Sequence, residues 1–136
     1  MKEQNTNTIF AKGNPLPKEY FTGNALLTPL VAKDNNKDYA IGSVAFEPGA
    51  RTNWHTHPKG QNLLVTEGNG FYQEKGKAAR PLKRGDVVII PENVEHWHGA
   101  APDSHFTHIA ITNFKGDSNV IWLEPLTEIE YDAATK

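Results

Sequence analysis

The sequence predicts an all-β domain, an antiparallel sandwich or barrel, on three observations. Gly and Pro punctuate the chain at near-regular intervals, at Gly49, Pro58, Gly60, Gly68, Gly70, Gly76, Gly85, Pro91 and Gly99. The runs between these points are rich in Val, Ile, Thr and aromatic residues and several alternate apolar with polar. They are also too short for independent helices, and short strands at regular spacing with turn signals are the mark of an all-β architecture.

The elements follow in chain order. Residues 1–18 are polar, with Asn, Thr, Lys and two Pro, and are expected to form an extended arm ahead of a single domain at 19–136. Strands are expected over Tyr39–Phe46, residues 62–66, residues 71–74, Val87–Ile90 and residues 106–112. Glu67-Gly68-Asn69-Gly70 has the chemistry of a tight hairpin, because Asn-Gly tolerates positive φ at the central positions. Thr127 and Glu130 have the spacing of a capping box and predict a short C-terminal helix. No internal repeat or linker interrupts the chain, and 136 residues fit one domain.

Composition narrows the function. A net charge of −2, with no run of five like charges, favours neither nucleic acid nor an anionic membrane as partner and leaves a small molecule as the expected ligand. The N-terminal residues lack the apolar stretch of a secretory signal, so a cytoplasmic location is expected. Cysteine is absent, which removes disulfides, thiolate metal sites and cysteine nucleophiles together. A metal ion bound here must use nitrogen and oxygen ligands.

All six histidines lie between positions 55 and 108, in the pairs 55/57, 96/98 and 105/108. On a strand, residues i and i+2 share a face, so His55 and His57 aim two imidazoles at one point. Pro58-Lys59-Gly60 then turns the chain and Gln61 opens the next strand beside them. A third imidazole has to come from elsewhere, and His96 follows Pro91 and a turn over residues 92–95. His108 faces inward if Ala110 and Thr112 do; it is then either a proton-transfer group with an ordinary pKa near 6.5 or a hydrogen-bonded wall residue. His98 shares the parity of His96 and is a supporting or wall residue. His105 has the opposite parity from His108 and is expected at the surface. Trp54, Trp97 and Trp122 are expected to pack, and Lys75, Lys77, Arg80, Lys83 and Arg84 to form a solvated face.

Taken together, these spacings resemble the cupin superfamily. Gly49, His55, His57, Gln61 and Gly68 stand as in its first motif, and Gly85, Pro91 and His96 as in its second. The resemblance implies a double-stranded β-helix, a jelly-roll-like antiparallel barrel, with one divalent metal held by His55, His57, Gln61 and His96. The chain departs from the usual motifs at Gln61, where Glu is common, at Asn93, where Gly is common, and at Ala100, where Asn is common. Asn93 is a mild change, since Asn tolerates the left-handed region. Gln61 leaves the full double charge of the ion uncompensated, which favours Lewis acidity and anion binding.

Within the superfamily, the chain resembles the compact bacterial subgroup that includes the cupin-type hydroxynitrile lyases. The likeness is carried by Tyr20-Phe21-Thr22-Gly23, by residues 46–52 running into Trp54-His55-Thr56-His57-Pro58, by His96-Trp97-His98-Gly99-Ala100-Ala101-Pro102 and by Thr107-His108-Ile109-Ala110-Ile111. Gln is the usual fourth ligand in that subgroup, and the histidine matching His108 belongs to its active site. The resemblance implies Mn2+ as the metal, with Fe2+, Zn2+ or Ni2+ as alternatives. It implies reversible addition of cyanide to an aldehyde, with His108 moving the proton and Gly42, Val44 and Thr112 lining the substrate pocket. A homodimer or homotetramer is expected by the same likeness. A metal-dependent dioxygenase and a non-catalytic small-molecule-binding module are the competing classes.

Overall fold

One long strand is shared by two antiparallel sheets that curl face to face. A computed structural model describes residues 9–11 and 13–136. The strands in chain order are β1 (Asn14–Pro15), β2 (Phe21–Thr22), β3 (Ala25–Val31), β4 (Tyr39–Phe46), β5 (Arg51–Thr52), β6 (His55–Thr56), β7 (Gln61–Glu74), β8 (Arg80–Lys83), β9 (Val87–Ile90), β10 (His96–Ala100), β11 (Phe106–Asn113) and β12 (Ile121–Trp122), followed by the helix α1 (Glu128–Ala134). The first sheet runs β1-β3-β4-β11-β7-β9. The second runs β2-β5-β10-β7-β8, with β6 on β10 and β12 on β6. The result is the antiparallel barrel of a double-stranded β-helix, with its core between the sheets.

Strand β7 corrects the sequence reading. Residues 62–66 and 71–74 are not two strands joined by a hairpin at Gly68-Asn69-Gly70; they lie on one continuous strand of 14 residues. Asn69 and Gly70 pair with Lys83 and Leu82 of β8 and do not turn the chain. Instead, the pairing with β11 slips between Thr107 and His108, so Thr66 is unmatched and forms a bulge. Gly68 follows it at φ 76°, and a Cβ there would stand 1.8 Å from the carbonyl oxygen of His105. The extra residue reverses the parity of the strand. Gln61, Leu63 and Val65 point inward before it, and Gly70 and Tyr72 after it. One bulge thus passes the strand from the first sheet to the second while keeping an apolar set inside both.

Phe46, Leu63, Val65, Val88, Ile90 and Phe106 belong to the core between the sheets. Outside the second sheet, the C-terminal segment packs on Trp54 and Trp97 through Leu126 and, within α1, Tyr131. Both halves of the capping box form: Glu130 N–H donates to Thr127 Oγ1 and Thr127 N–H donates to Glu130 Oε1. Tyr131 donates to the Ala100 carbonyl at 2.7 Å, and the buried Arg51 covers the Tyr131 ring while pairing with Glu128 at 2.8 Å. Of the expected arm, residues 1–8 and 12 lie outside the described residues. Asn14 and Pro15 pair with Leu27 and Leu26 at the edge of the first sheet. Among the described residues, no helix is long and apolar enough to cross a membrane.

Candidate metal centre

His55 on β6 lies directly opposite His96 on β10, which brings their ring centres to 4.2 Å. His57, two residues further on, is 4.9 Å from His55 and 5.3 Å from His96. The chain then turns at Gly60, where a Cβ would meet the Ile90 carbonyl at 2.8 Å, and Gln61 enters β7 opposite Ile90 and Thr112. The tight turn is why a ligand pair and a fourth polar side chain separated by three residues arrive at the same corner.

Each of these three rings is held by its Nδ1. The partners are the carbonyls of Asn53 for His55 at 2.9 Å, Asn119 for His57 at 2.7 Å and Val94 for His96 at 2.9 Å. A carbonyl only accepts, so Nδ1 carries the proton and Nε2 is left as a bare lone pair. The Nε2 atoms of His57 and His96 are buried without a partner among the described residues. Gln61 donates through Nε2 to Thr112 Oγ1 at 2.8 Å, and its Oε1 is likewise buried without a partner. Buried polar atoms are nearly always satisfied, so these acceptors are the ones a bound cation would take up. Carbonyls that accept from the outer ring nitrogen and so fix the tautomer are the usual companions of metal-binding imidazoles. The residues fit a divalent ion with nitrogen and oxygen ligands.

His98 enlarges this picture. Among the described residues, the histidine triplet whose ring nitrogens all lie within 4.8 Å of one another is His55, His96 and His98, which replaces His57 of the expected set by His98. The His98 ring stacks on His96, its Nδ1 faces His108 Nε2 at 3.1 Å, and its Nε2 has no partner among the described residues. Parity placed His98 on the inner face, but its approach to His55 depends on how β6 crosses β10, which no single strand reveals.

Burial governs the titration of all five rings. It is the largest cause in each case, and mutual repulsion among the imidazoles adds to it at His55 and His98. His96 is lowered to about 4 and His108 to about 3, and His55 and His98 lie well below the ordinary 6.5. The ordinary pKa assumed for His108 from the sequence is therefore corrected: the ring is wholly buried between Phe46, Phe106 and His98. It is neutral at neutral pH.

A cavity of about 280 Å³ opens beside these rings. Gly42, Val44 and Thr112 line it, together with His55, His57, Gln61, His98 and His108. Its remaining walls are apolar apart from Thr52 and Asn119. Leu27 also faces it, occupying the space next to Gly42, where a Cβ would come within 2.7 Å of Leu27 Cδ1. Trp122, read from the sequence as packing, stacks on Tyr20 and forms cavity wall 4.8 Å from His55. His105 lies outside, 68% exposed, near Glu47.

A family model for the cupin domain matches residues 42–111, which include all five of these histidines and Gln61. The (R)-mandelonitrile lyase of Granulicella tundricola is 44% identical over 115 residues, 85% of this chain and 88% of the relative. A cupin-like protein of Thermotoga maritima shares 50% identity and superposes with a TM-score of 0.92 over 96% of this chain and 98% of its own. A predicted oxalate decarboxylase of the same organism, 19% identical, has a TM-score of 0.67 over 82% of this chain and 93% of its own, and shares the fold alone.

Proposed function

The chain belongs to the cupin family, and on that premise we propose that it is a metal-dependent lyase splitting a small neutral cyanohydrin into aldehyde and cyanide, and catalysing the reverse addition. One observation carries the reading: imidazoles tied back by Nδ1 and a Gln amide, with orphaned acceptors, stand beside a mostly apolar cavity that a hydrogen-bonded histidine pair also lines. The mandelonitrile lyase supports it, since mandelonitrile is itself a cyanohydrin with an apolar ring.

In this reading His55, His57, Gln61 and His96 hold one ion, Mn2+ by family resemblance, with Fe2+, Zn2+ and Ni2+ as alternatives for the same donor set. His57 and Gln61 are preferred over His98 because their outer atoms are anchored on a carbonyl and a hydroxyl, whereas His98 faces a second titratable ring. When bound, the ion supplies Lewis-acid stabilisation of negative charge developing on oxygen or on cyanide.

His108 accepts the hydroxyl proton of the cyanohydrin. The O–H electron pair becomes the second bond of the carbonyl, the bond to the nitrile carbon breaks, and cyanide leaves with that bond's electrons. His108 then returns the proton to cyanide. Burial keeps the ring unprotonated and ready to accept, and the same burial means that imidazolium forms only while negative charge is present beside it. Donation from His108 Nε2–H to His98 Nδ1 stabilises that cation. Gly42, Val44 and Thr112 shape the seat of the apolar substituent. A homodimer or homotetramer belongs to the same proposal, supported by the exposed Val87 and Ile89 on the outer face of β9.

The test is elemental analysis of the purified protein, followed by aldehyde release from a cyanohydrin series in the metal-loaded form, with β-diketones and phenols as the competing panel. Turnover confined to cyanohydrins is expected. Metal-loaded protein that consumes oxygen on phenols or β-diketones and leaves cyanohydrins intact would replace this reading with the dioxygenase one.

A further inference from the structure

The three imidazoles tied to main-chain carbonyls are not held alike. His55 and His96 each bond the carbonyl two residues upstream, so the chain that carries the ring also fixes it. His57 depends on Asn119, 62 residues away, in the segment that joins β11 to β12. That segment, residues 114–120, also lines the cavity through Asn119 and Val120. Pro29 and Val31 of β3 and the following Ala32 line the same cavity, and Pro29 and Ala32 are exposed. The segment is therefore both cavity rim and the support of one ring.

Its outer end is tied by one main-chain bond and two weak side-chain contacts. Phe114 N–H donates to the Asp38 carbonyl at 2.7 Å, and the Lys33 ammonium lies 5.6 Å over the Phe114 ring. The Lys33–Asp117 pair spans 3.9 Å with Asp117 fully exposed, and ion pairs of that kind contribute little. Between these ties Lys115 and Ser118 close a small turn on Gly116, at φ 63°. The segment thus meets the rest of the barrel at its two ends, and the side-chain contacts of its outer end are weak.

We propose that residues 114–120 are a gate on the cavity mouth, and that Asn119, through its main-chain carbonyl, is the positioning residue for His57. Opening the gate withdraws the carbonyl and frees His57 to rotate or change tautomer. Closing it re-aims His57 Nε2 at the corner shared with His55 and His96. Entry of substrate and completion of the site are thus coupled by one hydrogen bond. The role of His57 as a metal ligand rests on the function proposed above; the hold of the gate on His57 does not.

The direct test replaces the Asn119–Val120 peptide bond by an ester, using the α-hydroxy analogue of valine at position 120. An ester carbonyl is a poorer acceptor, and the Val120 N–H lost with it makes no main-chain bond among the described residues. In metal-free protein labelled with 15N-histidine, His57 should be locked as the Nδ1–H tautomer and become mixed in the ester variant, with His55 and His96 unchanged. Release of Mn2+ to excess chelator should accelerate about 10-fold or more, the usual scale when a group that orients a metal-binding imidazole is lost. Lys33→Ala combined with Phe114→Ala, which removes the outer side-chain contacts without touching the carbonyl, should shift His57 alone in the same direction, by less. Unchanged His57 signals in both variants, or equal shifts at all three rings, would overturn the gate. A selective His57 shift in a protein that takes up no metal would sustain the gate and sink the metal assignment instead.

Discussion

Two corners of one cavity use the same side chain in opposite ways. In the first, His55, His57 and His96 turn Nδ1 onto main-chain carbonyls and present Nε2 as a fixed lone pair. In the second, His98 and His108 turn nitrogens on each other at 3.1 Å, so either ring can own the shared proton. The difference is made by the backbone. A carbonyl partner dictates a tautomer, whereas an imidazole partner leaves it open. The first corner is suited to a cation and excludes protons; the second is suited to moving one. Substitutions should separate the two corners.

The largest effect is expected in the first corner. His57→Ala and His96→Ala should each lower bound metal from about one ion per chain to near none, because a four-ligand site that loses an imidazole loses a strong donor. Full occupancy in both variants, read by elemental analysis after dialysis, would place the ion elsewhere; full occupancy in His57→Ala alone, with His96→Ala and His98→Ala both emptied, would put the alternative triplet in its place. The second corner should behave differently. His108→Ala should keep its metal and lose about 10²–10⁴-fold in turnover, the usual worth of a positioned acid–base group. His105→Ala, at an exposed position three residues earlier, should be nearly silent. Metal loss in His108→Ala would erase the distinction between the corners.

Acid should affect both corners before metal is added. Free imidazoles in the unfolded chain take up protons near pH 6.5, but burial holds His96 at about 4 and His108 at about 3 in the fold. Between those values the unfolded state binds more protons, so stability falls as pH falls. Metal-free protein should melt at a constant temperature above pH ~7 and at progressively lower temperature from about pH 6.5 down to about pH 4. A melting temperature that stays flat to about pH 4.5 would mean that the rings are solvated in the metal-free protein. Bound metal should narrow the sensitive range, because it stabilises the neutral rings.

Much of the barrel was legible because its devices are local. Tyr39–Phe46 and Val87–Ile90 appear as strands with the bounds read from the sequence, and the capping box at Thr127 marks the helix. His55, His57 and Gln61 could be brought together from the sequence because a two-residue period and a Pro-Gly turn act over seven residues. Features set by strand crossings were not legible. Gly68-Asn69-Gly70 looks like a hairpin but lies in a continuous strand, because its glycines serve a bulge and the close approach of β10 and β11. The nearness of His98 to His55, the Trp122 wall beside His55 and the bond from His57 to Asn119 all join elements distant in sequence. No periodicity within one element encodes them.

The smallest expected effect, at Gln61, tests whether charge defines the first corner. Gln61 brings an amide oxygen, Oε1, that is buried without a partner, while its Nε2 donates to the Thr112 hydroxyl. In Gln61→Glu the Thr112 hydroxyl can donate to the new carboxylate, so the geometry survives and the charge changes. With a divalent ion bound, the native site of three neutral rings and an amide keeps two units of positive charge. A carboxylate cancels one of them at bonding distance, which should retain or tighten the metal while weakening the pull on a further anion. Azide and cyanide affinity, titrated at matched metal occupancy, should fall by up to about tenfold, equivalent to about 1.4 kcal/mol. Turnover should fall with it, because the negative charge that develops during cleavage is felt by the same field. Anion binding that is equal or tighter in Gln61→Glu would show that the corner selects by shape and hydrogen bonding. The neutral amide would then be no more than a spacer, and the contrast between a charged corner and a proton-moving corner would rest on the histidines alone.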